Sequence, residues 1–139
     1  MKPITTFIFI LFISLLSSPS WSEPLTIDDL IQRNKLYYEK FSNTPFTGEI
    51  TGKHTGKFEN GLREGPYEIY YKSGQLAMET TYEDGLTEGE WTYYYPDGNI
   101  HFRGTFVKGK RHGEFFTYDE FGFPPEVKVY ENGTVVGTR

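Results

Sequence analysis

Three histidines, His54, His101 and His112, and several paired acids are the residues here with the chemistry for catalysis or metal binding. The histidines share no metal-ligand spacing with one another. His112 stands just before a glycine, where Glu64 and Glu88 stand in the preceding stretches, so it reads as a polar turn position. His101 alternates with Ile100 and Phe102 and is expected to face away from both, while His54 lies in a Gly- and Thr-rich stretch. Glu83-Asp84 and Asp119-Glu120 are acidic pairs of the kind that ligate calcium, but neither fits an EF-hand loop. Two carboxylates held roughly 5–10 Å apart hydrolyse glycosides. The acids of this chain instead recur periodically, which marks a solvated edge: Glu59 aligns with Glu83, and Glu64 with Glu88. Cysteine is absent, which removes disulfides, thiolate zinc sites, a thiol nucleophile and a lipid-bearing cysteine. The glycines form no phosphate loop, and no serine sits in a nucleophile elbow. The expectation is a protein that is not an enzyme and uses no cofactor or metal.

The elements that carry these residues are repeats. Phe58, Tyr82, Phe106 and Tyr130 are spaced by 24 residues. The same interval relates Gly61, Gly85, Gly109 and Gly133; Gly65, Gly89, Gly113 and Gly137; and Gly74, Gly98 and Gly122. It also relates Tyr67, Trp91 and Phe115, and Tyr70, Tyr94 and Tyr118. Six classes holding one period signal a tandem array. Three full units run over 58–81, 82–105 and 106–129, a half unit follows, and a degenerate one precedes at 51–58.

Each unit predicts two strands and two turns. Tyr67 to Lys72 is rich in aromatic and β-branched residues, and Leu76 to Tyr82 returns with alternating apolar positions. Ser73-Gly74 and Pro96-Asp97-Gly98-Asn99 mark one turn. The other is expected to run from Glu59-Asn60-Gly61 to Gly65, and from Glu83-Asp84-Gly85 to Gly89. The fold class that follows is mainly β: an antiparallel meander of 24-residue hairpin repeats. Tyr67, Ile69 and Tyr71 point to one face, as do Trp91, Tyr93 and Tyr95, while Tyr70, Tyr94 and Tyr118 point to the other unless a bulge rotates them.

The ends differ from the array. Lys2, the apolar run Ile4 to Leu16, and small residues at Ser20 and Ser22 have the pattern of a secretory signal peptide over residues 1–22. The run is short against the roughly 20 residues of a spanning helix. Cleavage near Ser22 predicts an exported, periplasmic or secreted chain that does not span the membrane. Residues 23–50 are expected to hold a short capping helix, opened by Thr26-Ile27-Asp28-Asp29 and ended by Asn34, and a degenerate first hairpin. Pro124 and Pro125 interrupt the third return strand.

The pattern aromatic-x-x-Gly-x-x-x-Gly-x-aromatic-x-x-Tyr-x-x-x-Gly resembles the MORN repeat in its variant form, over residues 51–139. Residues 36–52 resemble the N-terminal part of exported members of this group. Many bacterial proteins with such repeats are labelled as a toxin–antitoxin system antitoxin family. The resemblance thus implies a repeat array with a neutralising or scaffolding role, and the third unit departs from its pattern at Thr117, Asp119 and Pro124.

Partner classes follow from charge and aromatics. The chain carries a formal charge of −5, and cleavage would remove Lys2 and no acid, which disfavours nucleic acid. Aromatic residues make up 18% of the chain, so rings must supply much of its packing. The expected partner is a protein of the envelope or exterior, bound through an aromatic sheet face at Tyr70, Tyr94, Tyr118 and Trp91. An envelope glycan or peptidoglycan is the alternative ligand, and a lipid ranks below it.

Overall fold

The structure, a computed structural model, describes residues 23–121 and 123–139. The expected signal peptide and Gly122 lie outside the described residues. The Thr26 backbone N–H and hydroxyl both donate to Asp29 Oδ2, at 2.9 and 2.8 Å. The helix this pair was expected to open is a single 3-10 turn, Ile27–Asp29. Strands β1 (Leu30–Arg33) and β2 (Leu36–Glu39) follow as an antiparallel hairpin. Asn34 ends a strand and not a helix: Asn34 and Lys35 have φ of 51° and 69°, the two left-handed residues of a tight hairpin turn. Tyr38 and Tyr37 then pair with Ile31 and Gln32. The lid on the array is therefore a hairpin. Its Leu30 is buried with Phe46, Ile50, Phe58 and Tyr67, and Leu25, Ile27 and Tyr37 pack around them.

The array is one nine-stranded antiparallel sheet in strict sequence order. It comprises β3 (Gly48–Ile50), β4 (His54–Glu59), β5 (Leu62–Tyr70), β6 (Leu76–Glu83), β7 (Leu86–Tyr94), β8 (Ile100–Val107), β9 (Lys110–Thr117), β10 (Glu126–Glu131) and β11 (Thr134–Thr138). The expected meander of hairpins is what forms.

The turns explain the glycine classes and the periodic acids. Asn60, Asp84, Lys108 and Asn132 have φ of 49–50°, and the glycine after each is also left-handed, giving two-residue hairpin turns. The expected longer turn to Gly65 is corrected by this. The strand resumes at Leu62, and Gly65 lies inside β5 at a register shift, with Gly56 opposite Tyr67 and Lys57 opposite Glu64. Each tight turn is tied to the one before it. The N–H groups of Gly85, Gly109 and Gly133 donate to the carbonyls of Arg63, Thr87 and Arg111 at 3.0, 2.9 and 2.9 Å. The Glu64 and Glu88 carboxylates accept the N–H groups of Asp84 and Lys108, at 3.0 and 2.7 Å. These acids lock turns. At the other end of each hairpin, Tyr71 pairs with Gln75 and Tyr95 with Asn99 around three-residue loops. In the third unit Asp119 Oδ1 accepts the N–H groups of Phe121 and Phe123, at 3.0 and 3.2 Å. Pro124 and Pro125 delay the return strand, and β10 then pairs regularly with β9.

The core lies on one face as a row of interlocking rings. Tilted or edge-on contacts join Phe46 to Phe58 (5.6 Å between centroids), Phe58 to Tyr67 (6.4 Å) and Tyr67 to Tyr82 (5.4 Å). They continue from Trp91 to Phe106 (6.0 Å), Phe106 to Phe115 (5.5 Å) and Phe115 to Tyr130 (5.1 Å). Two strand glycines outside the periodic classes make room for these rings. A Cβ at Gly56 would stand 2.3 Å from the Tyr67 ring, and one at Gly104 would stand 2.5 Å from the Phe115 ring. By contrast Gly137 belongs to a periodic class, yet its φ is not left-handed and a Cβ there would meet Val129 at an ordinary 3.8 Å. Gly104→Ala is therefore expected to cost about 1–3 kcal/mol through overpacking. Gly137→Ala should stay within about 0.5 kcal/mol of wild type. Urea unfolding midpoints check the pair, and equal midpoints would contradict this packing.

Candidate functional site

The two faces of the sheet have different chemistry. One cross-strand row runs Thr55, Glu68, Glu79, Thr92, Arg103, Phe116 and Val127. Glu68 and Glu79 stand directly opposite each other, an unfavourable pairing of like charges. Tyrosines relieve it. The Tyr70 hydroxyl donates to Glu68 Oε2 at 2.6 Å, and the Tyr94 hydroxyl donates to Glu79 Oε1. The Arg103 guanidinium lies 4.9 Å from the Phe116 ring and 5.7 Å from the Tyr118 ring. So Tyr70, Tyr94 and Tyr118 line the polar face, each tied to a charged neighbour.

Trp91 is on the opposite face, against Phe106 and parallel to Tyr93, with 6.2 Å between centroids and 9° between planes. The four residues expected to form one binding surface are thus divided between two. Past the lid, Ile69, Tyr71, Met78, Trp91 and Tyr93 line an open groove of about 440 Å³, together with Lys53, Lys72 and Ala77, and Tyr70, whose hydroxyl is held by Glu68, also borders it. Phe58 and Tyr67, under the lid, are 0% and 2% exposed, whereas Trp91 and Tyr93 are half-buried. Tyrosine hydroxyls hold the groove's backbone. Tyr71 donates to the carbonyl of Tyr94 at 2.6 Å, and Tyr95 repeats the contact with the carbonyl of Tyr118 at 3.0 Å.

His101 corrects the alternation expected for it. Tyr93 pairs with Phe102 and Tyr94 with Ile100, so His101 is the extra residue of a bulge. Its ring stacks on Tyr95 at 4.1 Å and lies 3.7 Å from the Phe102 ring. His54 Nδ1 meets the Tyr67 hydroxyl at 3.0 Å. Burial lowers the pKa of both imidazoles, and for His54 the cations Lys53 and Arg63 lower it further. No group of three or more His, Cys, Asp or Glu is placed to hold a metal among the described residues. Nor is any helix among them long and apolar enough to cross a membrane.

Residue-type spacing missed two arginines seated on the core rings. The Arg63 guanidinium lies over Tyr37, Tyr67 and Tyr82, at 4.7, 5.0 and 5.3 Å from their centroids. Arg111 repeats this at 5.2 Å from both Phe115 and Tyr130. The signal was a 48-residue period, Gly56/Arg63/Tyr67 against Gly104/Arg111/Phe115, hidden beneath the 24-residue one.

The tyrosine–glutamate pairs of the polar face predict a titration. The hydrogen bond to Glu79 raises the Tyr94 phenol to about 12, with burial adding to it. Ionising Tyr94 would put its negative charge beside that carboxylate. The folded state prefers the neutral phenol, so this contribution is complete below pH 10 and is lost as pH rises through about 12. Glu79→Gln should move one phenol back toward the ordinary range in an ultraviolet tyrosinate titration. An unchanged titration curve would contradict the pair.

Comparison with known proteins bears on the array. The model of the MORN repeat variant family matches residues 63–84 and 87–108, two adjacent repeats spanning β5 to β8 and the turn after it. No curated protein matches the chain.

Proposed function

We propose that this chain is a non-catalytic, exported repeat protein that binds a protein partner through the aromatic face of its sheet. The observation that carries the reading is the change along that face. The lid buries Phe58 and Tyr67, and beyond it Tyr71, Met78, Trp91 and Tyr93 line an open groove. Tyr, Trp and Met are the side chains enriched in protein interfaces, where large rigid rings supply contact area at little entropic cost. Neutralising a toxin or effector and holding proteins together as a scaffold are two forms of this activity. Both use the same surface. Export rests on the leader pattern of residues 1–22, and processing near Ser22 would leave a mature chain beginning close to Glu23.

A second reading has its own support. The rings of Trp91 and Tyr93 are nearly parallel along one strand, a platform suited to stacking on sugar rings. An envelope glycan would use it.

Affinity capture from an envelope fraction, with the full chain as bait, separates these readings. Trp91→Ala/Tyr93→Ala should lose the partner, whereas Tyr94→Phe/Tyr118→Phe on the polar face should keep it. Thermal unfolding confirms that both variants fold. Retention of the partner by the first variant would contradict the assigned face. Binding of soluble peptidoglycan fragments, lost in the first variant, would favour the glycan.

A further inference from the structure

Directly across the sheet from Phe58, Tyr82 and Phe106 stand Arg63, Thr87 and Arg111. In the first and third units an arginine fills the space among the rings. Arg63 Nη2 donates to the Tyr37 hydroxyl at 2.6 Å, and Arg111 Nη1 donates to the Tyr130 hydroxyl at 3.0 Å. The middle unit keeps three rings at the equivalent positions, Tyr82, Trp91 and Phe106, but its own residue is the short, uncharged Thr87.

A second difference accompanies the first. Tyr67 and Phe115 lie over Gly56 and Gly104, but the middle unit has Thr80 at that position. Thr80 is 7% exposed, and its hydroxyl donates to the Glu90 carbonyl at 3.0 Å, so the ring cannot settle there. Trp91 lies instead alongside Tyr93, two residues further from the tight turn, while Thr87 stands beside that turn. On the strands flanking β7, Tyr82 pairs with Thr87 and Phe106 pairs with Gly89, and the Trp91 ring lies 6.0 Å from that of Phe106. All three rings are half-buried; Trp91 and Phe106 lie beyond the core under the lid, while Tyr82 packs at its margin and also carries Arg63 at 5.3 Å from its centroid.

We infer that Tyr82, Trp91 and Phe106 form a cation site that takes a guanidinium from outside the chain, an arginine side chain of the protein partner. The fold seats guanidinium groups on equivalent rings twice, and tryptophan is the strongest of the cation-binding rings. A planar guanidinium stacks where a compact ammonium does not. The formal charge of −5 draws basic partners to the chain. This inference rests on the protein-binding reading of the aromatic face and names the group that face receives.

The probe is a capped tri-arginine peptide, compared with its tri-citrulline and tri-lysine counterparts. Binding is read on the full chain from the Trp91 indole N–H resonance, assigned by its loss in Trp91→Phe. The arginine peptide should shift that resonance, and citrulline should bind about tenfold more weakly, since it keeps the shape and loses the charge. Thr87→Arg supplies the guanidinium from within. It should abolish the shift and raise the unfolding temperature. Equal binding of arginine and citrulline, equal binding of arginine and lysine, or undiminished binding to a folded Thr87→Arg would each overturn the site, as would no shift at all. If Thr87→Arg does not fold, the citrulline comparison on the wild-type chain decides. A partner lost by Trp91→Ala/Tyr93→Ala but kept by Thr87→Arg would leave the aromatic face standing and remove only its arginine.

Discussion

Ring-on-ring packing along one face of the sheet is the interaction on which the rest of the structure depends. A single sheet has no second layer to bury against, and this chain has no disulfide to restrain it. Edge-on aromatic pairs supply about 0.5–1.5 kcal/mol each beyond the area they bury. Here they run from Phe46 to Tyr82 and from Trp91 to Tyr130, so β4 to β6 and β7 to β10 are joined sideways by rings as well as by backbone hydrogen bonds. The hairpin of Leu30 closes one end of that row. What it leaves open is the stretch of ring face assigned to the proposed partner.

The opposite face and the turns have complementary tasks. Glu64 and Glu88 fix the tight turns through backbone N–H groups, and Glu68 and Glu79 hold tyrosine hydroxyls. Carboxylates that might have suggested hydrolysis are thus engaged in keeping the register of the meander. Register matters because a slip of one residue would turn the rings away from their neighbours. With the register fixed, small changes at single positions reshape the ring face locally. Thr80 in place of glycine and Thr87 in place of arginine are two such changes, and both fall in the unit that contains Trp91.

Much of this was legible in the sequence. Glycine and aromatic classes at a fixed interval specify a meander because Asn-Gly and Asp-Gly impose tight hairpin turns. The face that carries Trp91 followed from strand alternation. Alternation failed at His101, because a bulge adds a residue that the sequence does not flag. It also could not foretell the lid. The capping pair Thr26 and Asp29 forms, but Asn34 and Lys35 both adopt left-handed backbone and turn the chain into a hairpin. The division of Trp91 from the tyrosines of the polar face was implicit in their odd and even positions. What the spacing hid was that each of those tyrosines is tied to a nearby Glu or Arg, while Trp91 lies at an open groove.

The aromatic face is closed under the lid and open beyond it. Paramagnetic broadening of ring protons by a neutral, soluble relaxation agent measures this directly. Strong broadening is expected for Trp91 and Tyr93, and protection for Phe58 and Tyr67. Trp91 as well protected as Phe58 would contradict it.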